Sequence, residues 1–214
     1  MLSNKTFIIA EAGVNHNGQL NLAFKLVDAA LETGADAVKF QMFDVEKFVH
    51  KSVRKAKYQK VTTNSNAGQY EMLKKLELNV CQLAELKNYA ERKGLRFLVS
   101  PFDLDSLGHL VEMGLTTIKI ASGELTNGPL IWNAAKSGRN LIISTGMADI
   151  SEIKTCLAVI RHAFSNEFEP RSFQEIKEMS TARSNWHEIK EKVCLLHCTS
   201  QYPSEYKDLH LNVR

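Results

Sequence analysis

Two lysines stand inside otherwise apolar runs of this sequence, Lys39 in Ala37-Val38-Lys39-Phe40 and Lys119 in Thr117-Ile118-Lys119-Ile120. An ammonium group in such surroundings is costly to bury unless an anion or a carboxylate meets it. With Ser122, Gly123, Ser144 and Gly146 the lysines would make a cradle for a phosphate or carboxylate. Glycine admits close backbone approach, hydroxyls donate, and lysine supplies the point charge. The alternative is two internal salt bridges, Lys39 with Glu11 and Lys119 with Glu124. A Schiff-base lysine is a further option. Glu11 and Glu124 end apolar runs near glycines, where carboxylates serve acid–base chemistry or simply orient the lysines. His16 and His197 lack a defined partner spacing and read as hydrogen-bonded structural histidines rather than metal ligands. The four cysteines, Cys81, Cys156, Cys194 and Cys198, show no CxxC spacing and read as reduced packing residues. Cys194 and Cys198 are expected on one face of a common strand.

The elements that must position these groups alternate short apolar runs with longer amphipathic ones. Strands are predicted at Phe7–Ala10, Ala37–Phe40, Arg96–Val99, Thr117–Ile120, Leu141–Ile143 and Val193–Leu196. Helical spacing predicts Leu20–Thr33, Leu83–Arg92, Leu104–Met113, Leu130–Lys136 and Ser151–Ala163. Ser151 is read as the cap of the last, in an imperfect capping box with Lys154. Glycines 34, 94, 114 and 138 close the other four helices just before a strand, the grammar of repeated βα units. The first strand leads into Glu11-Ala12-Gly13-Val14-Asn15-His16-Asn17-Gly18, which has no Gly-x-Gly-x-x-Gly phosphate turn. Polar residues instead stand at nearly every strand end: Glu11, Lys39 and Gln41, Ser100 (with Phe102), Lys119, Ser122 and Glu124, Ser144 and Thr145, then His197, Thr199, Ser200 and Tyr202. That favours a (β/α)8 TIM-type barrel over a doubly wound sheet, because barrel strand ends converge on one mouth. Six strands are legible where a barrel takes about 250 residues, so the fold class is α/β, a barrel truncated after about the sixth strand. Residues 42–80 are a long excursion with a helix near Tyr70–Leu76, and 165–192 a polar insertion.

Composition excludes more than it selects. The 214 residues are 44% hydrophobic and 24% charged, an ordinary globular balance. No apolar run nears the roughly 20 residues that cross a bilayer, and the start lacks a secretory core, so a cytoplasmic protein is expected, with no membrane partner. The formal charge is +3 with acids and bases interspersed, which argues against a nucleic-acid partner. The best basic run, Lys51 to Lys60, reads as a solvated face or an anion-attracting loop.

Six motifs together resemble the N-acetylneuraminate (sialic acid) synthase family. They are Ile8 to Gly18, Gly34-Ala35-Asp36-Ala37-Val38-Lys39-Phe40-Gln41, Ser100-Pro101-Phe102-Asp103, Lys119-Ile120-Ala121-Ser122-Gly123-Glu124, Ile143-Ser144-Thr145-Gly146-Met147, and Leu195 to Pro203. They stand in the family's order along nearly the whole chain. The resemblance implies a barrel that joins phosphoenolpyruvate to N-acetylmannosamine or a related N-acylated hexose, releasing phosphate. C3 of the enol phosphate attacks the open-chain aldehyde, water attacks C2, and a divalent metal, Mn2+ or Mg2+, polarises the aldehyde. By motif position it implies that Lys39, Lys119, Ser122 and Ser144 hold phosphoenolpyruvate. Gln41 and Tyr202 meet the sugar, while Glu11 and Glu124 handle water, protons and the carbonyl. A homodimer is implied at full length.

The departures from the family are also informative. Its two metal-binding histidines, in Ser-Asp-His and Glu-Arg-His-Phe-like motifs after the sixth strand, do not occur before Arg214, and His197 belongs to a different motif. Its antifreeze-like domain, which closes over the partner subunit's active site, has no counterpart here. Residues 1–214 therefore read as one partial synthase barrel domain, expected to bind metal weakly and turn over little alone. Two strand edges would be exposed. Three readings follow: the N-terminal part of a sialic or legionaminic acid synthase, a truncated non-catalytic binding or interaction module, or an aldol-type lyase using Lys119. Manganese-dependent phosphate release, co-purification with a full-length synthase, and borohydride trapping on Lys119 separate them.

Overall fold

A computed structural model describes residues 5–50, 68–166, 168–172, 174–176, 186–199 and 204–210. The chain divides into two compact units, Met1–Met113 and Gly114–Arg214. The first holds β1 (Ile9–Gly13), α1 (Leu20–Glu32), β2 (Ala37–Met42), α2 (Val45–Phe48), α3 (Gln69–Lys74), α4 (Val80–Arg92), β3 (Arg96–Pro101) and α5 (Leu104–Glu112). Its strands run parallel in the order β1-β2-β3. The second holds β4 (Thr117–Ile120), a 3-10 turn at Ser122–Glu124, α6 (Gly128–Lys136), β5 (Asn140–Ser144), α7 (Ile150–Ser165), α8 (Trp186–Lys192), β6 (Val193–Leu196) and a 3-10 turn at Tyr206–Asp208. Its strands run parallel in the order β4-β5-β6.

Side-chain alternation along each strand separates an apolar face from a chemical one. In the first unit Val38, Phe40, Phe97 and Val99 are buried on one face. There the Phe40 and Phe97 rings lie 5.5 Å apart, and helices α1 and α4 contribute Ala23, Val27, Leu83 and Leu86 to the core. Burying a ring such as Phe40 contributes about 1.5–3 kcal/mol. Lys39 and Gln41 necessarily take the opposite face. The second unit repeats the pattern, with Ile118, Ile120, Leu141 and Ile143 buried and Lys119 and Ser144 on the other side. The helix-closing glycines 34, 94, 114 and 138 all take the left-handed backbone, φ 71 to 78°, as the βα grammar predicts.

Three local readings are corrected. β1 runs to Gly13 rather than stopping at Ala10, so Glu11 lies within the strand and not after it. Helix α7 is capped by Asp149, not Ser151: the Asp149 carboxylate accepts from the Glu152 N–H at 2.8 Å, and Glu152 returns the bond to the Asp149 N–H at 2.9 Å. A complete box two residues earlier displaces the imperfect one. Strand β6 ends at Leu196, so Cys198 lies beyond it, and Cys194 is exposed rather than packed. Leu195 is also 43% exposed, because no described strand pairs with the far side of β6. The helix predicted near Tyr70–Leu76 is α3, whereas α8 lies within a stretch whose polarity concealed it.

Candidate active site

In the first unit the candidate groups gather where β1, β2 and β3 end. Register sets Glu11 beside Lys39 and Gln41 beside Ser100, so Lys39, Gln41 and Ser100 share one face. Lys39 is 8% exposed, and its Nζ pairs with the half-exposed Glu11 carboxylate. This is the internal salt bridge weighed for Lys39. A Cβ placed on Gly13 would lie 3.1 Å from Glu11 Oε1 and 3.5 Å from Gln41 Nε2, so the glycine leaves the carboxylate and the amide room beside it. Ser100 is 1% exposed, and its Oγ has no hydrogen-bond partner among the described residues. A buried hydroxyl without a partner costs about 1–3 kcal/mol, which a bound acceptor would recover.

In the second unit Lys119, Ile142 and Ser144 share a face, with Lys119 9% and Ser144 8% exposed. Beyond β4 the chain turns at once into Ser122–Glu124, closed by the Glu124 N–H to the Ala121 carbonyl at 3.0 Å. Both residues stay partly exposed. Asn127 does two things here. Its Nδ2 donates to Glu124 Oε2 at 2.8 Å, while its Oδ1 caps α6 through the Leu130 N–H at 3.3 Å. The carboxylate at the end of β4 is thereby tied to a helix start.

Each histidine makes one of the hydrogen bonds expected of it, although His16 Nε2 has no partner among the described residues. His16 is fully buried, its Nδ1 accepts from the Gly18 N–H at 3.0 Å, and burial pushes its imidazole below the ordinary pKa. His197 Nε2 donates to the Leu209 carbonyl at 2.6 Å. Among the described residues, no three His, Cys, Asp or Glu side chains come together as a metal site, so the implied divalent ion does not fit the described groups by themselves. Tyr202 and the basic run Lys51 to Lys60 lie outside the described residues. Sequence reasoning named Ser100 only as a strand end and missed Asn127 altogether. The signal for Asn127 was present in Asn127-Gly128-Pro129, a capping residue with proline close behind.

Parallel strands alternating with helices, with charged and hydroxyl side chains at the strand ends, define an α/β protein built from barrel-type βα units. The model of the NeuB family matches residues 26–213, and the chain belongs to that family. It is 42% identical over 205 residues to the N,N'-diacetyllegionaminic acid synthase of Legionella pneumophila, covering 96% of this chain and 52% of that protein. The enzyme of the same name from Campylobacter jejuni is 40% identical over 207 residues, covering 97% and 55%. Among solved structures, the N-acetylneuraminic acid (sialic acid) synthetase of Leptospira borgpetersenii aligns at a TM-score of 0.71 and 31% identity, covering 97% of this chain and 59% of that one. The fold is thus of the (β/α)8 TIM-barrel type, with six strands among the described residues. The chain spans about half the length of the curated relatives it matches.

Proposed function

We propose that this chain carries the phosphoenolpyruvate-binding and acid–base residues of a nonulosonate synthase, which condenses phosphoenolpyruvate with an N-acylated hexose. One observation carries the reading: each unit buries a lysine on the hydroxyl-bearing face of its parallel strands. Lys39 and Lys119 hold the carboxylate and phosphate, and Ser122 and Ser144 donate to the same oxygens. When the substrate anion takes up Lys39, Glu11 is released to accept a proton from the water that adds to C2. Glu124, held by Asn127, serves protons at the forming alcohol. Gln41 and Tyr202 meet the sugar. One C–C bond forms between C3 of the enol phosphate and the aldehyde carbon, water supplies the C2 oxygen, and phosphate departs.

The family resemblance implies a divalent metal as well, but the described residues by themselves do not form its site. The acceptor is proposed to be a diacetamido hexose. The Legionella pneumophila and Campylobacter jejuni relatives are named for a product with two N-acetyl groups. Phosphoenolpyruvate contains no nitrogen, so both groups must arrive on the sugar. Ligand-observed saturation-transfer NMR tests this. Phosphoenolpyruvate signals are expected to saturate with the wild-type chain and not with Lys119→Ala. With phosphoenolpyruvate present, a diacetamido hexose should saturate more strongly than N-acetylmannosamine. Equal responses from the two sugars contradict the acceptor assignment, and no phosphoenolpyruvate response from the wild type contradicts the whole reading.

A further inference from the structure

The end of β5 is strapped to the end of β6 by contacts that no substrate role explains. Thr145 Oγ1 donates to the Leu196 carbonyl at 2.9 Å, and the Thr145 N–H points to the same carbonyl at 3.3 Å. That N–H also lies 3.1 Å from Cys198 Sγ, while the Cys198 thiol donates back to the Leu196 carbonyl at 3.5 Å. At the next residue the two backbones nearly touch: a Cβ on Gly146 would lie 2.8 Å from the Thr199 carbonyl oxygen. The far side is itself anchored, since Thr199 Oγ1 bonds Ser204 Oγ and His197 bonds the Leu209 carbonyl. Ser144, adjacent to all of this, is the last residue of β5 and lies opposite Leu196 in the ladder.

We infer that Thr145 is a positioning residue for phosphoenolpyruvate, its hydroxyl holding Ser144 and the Gly146 backbone in the orientation that receives the anion. The inference rests on the function proposed above. Past Ser144 the ladder continues only as the long 3.3 Å bond from the Thr145 N–H, which is shared with Cys198 Sγ and restrains the strand end weakly by itself. The side-chain bond from Thr145 adds restraint just past the strand, on the carbonyl opposite Ser144. Donor hydroxyls discriminate an anion only when their direction is set in advance.

The test is calorimetric titration of the 214-residue chain with phosphoenolpyruvate, well below its melting transition so that only folded protein is measured. Thr145→Val keeps the shape and removes the hydroxyl, Thr145→Ser keeps the hydroxyl and removes the methyl, and Ser144→Ala tests the group being positioned. The expected result is an affinity about five- to tenfold weaker for Thr145→Val, the size of one lost hydrogen bond, with near wild-type affinity for Thr145→Ser. Equal weakening of Val and Ser variants would assign the effect to packing and overturn the inference. So would wild-type affinity in Thr145→Val beside weak binding in Ser144→Ala, which leaves the proposed function standing. Absence of binding by the wild type overturns that function, and the inference with it.

Discussion

His16 illustrates how one buried side chain sets a pH dependence. Its imidazole is fully buried beside the Phe40 ring, 6.0 Å between centroids, and desolvation lowers its pKa. The unfolded chain therefore binds a proton near the ordinary value of about 6.5, while the folded chain resists it. Between the folded pKa and about 6.5 the unfolded state holds more protons, so stability rises with pH and falls as the solution is acidified. Chemical denaturation at a series of pH values should show the wild type losing up to about 1.4 kcal/mol per pH unit below about pH 6.5 from this group. His16→Asn should flatten that segment of the curve, and an unchanged slope contradicts the account. The same desolvation holds the Cys156 thiol up at about 12, which fits the inert packing role read for it, whereas Cys81 and Cys194 are exposed. Lys39 and Lys119 were legible from sequence because a charge inside an apolar run has few explanations. The capping role of Asn127 was legible too, but its bond to Glu124 was not, since that bond depends on a turn that only folding makes.

Among the elements, α7 shows what local chemistry settles and what it leaves open. Its apolar spacing located the helix, yet the cap was misread by two residues because Ser151 and Asp149 are both acceptable capping types. Only Asp149 has a glutamate three residues on, and both bonds of the box form. Asp149→Ala is expected to cost about 1 kcal/mol, a melting temperature some 2–4 °C lower, while Ser151→Ala should stay within about 0.5 kcal/mol. Thermal unfolding followed by circular dichroism decides it, and a larger loss from Ser151→Ala would contradict the assignment. Strand existence was legible throughout, because the period-two pattern survives even when the ends are misplaced. The ends themselves were not: β1 carries a register irregularity between Glu11 and Gly13, which a sequence pattern does not reveal. The exposure of Cys194 and Leu195 was equally hidden, since it depends on what lies beyond β6.

For the molecule as a whole, family and fold were readable because six separated motifs each mark a strand end, and βα repetition constrains topology more tightly than any one element. The division into Met1–Met113 and Gly114–Arg214 was not readable, because the βα period continues unchanged through Gly114. Each unit buries a lysine that the proposed function assigns to phosphoenolpyruvate. The most direct test is to titrate phosphoenolpyruvate into the wild-type chain, Lys39→Ala, Lys119→Ala and, as a control, the exposed Lys207→Ala. Removing one partner of a buried charge pair costs about 2–5 kcal/mol, so each buried-lysine variant should bind at least about thirtyfold more weakly while Lys207→Ala matches the wild type. Wild-type affinity in both Lys39→Ala and Lys119→Ala would contradict the account, leaving Lys39 as the partner of Glu11 alone.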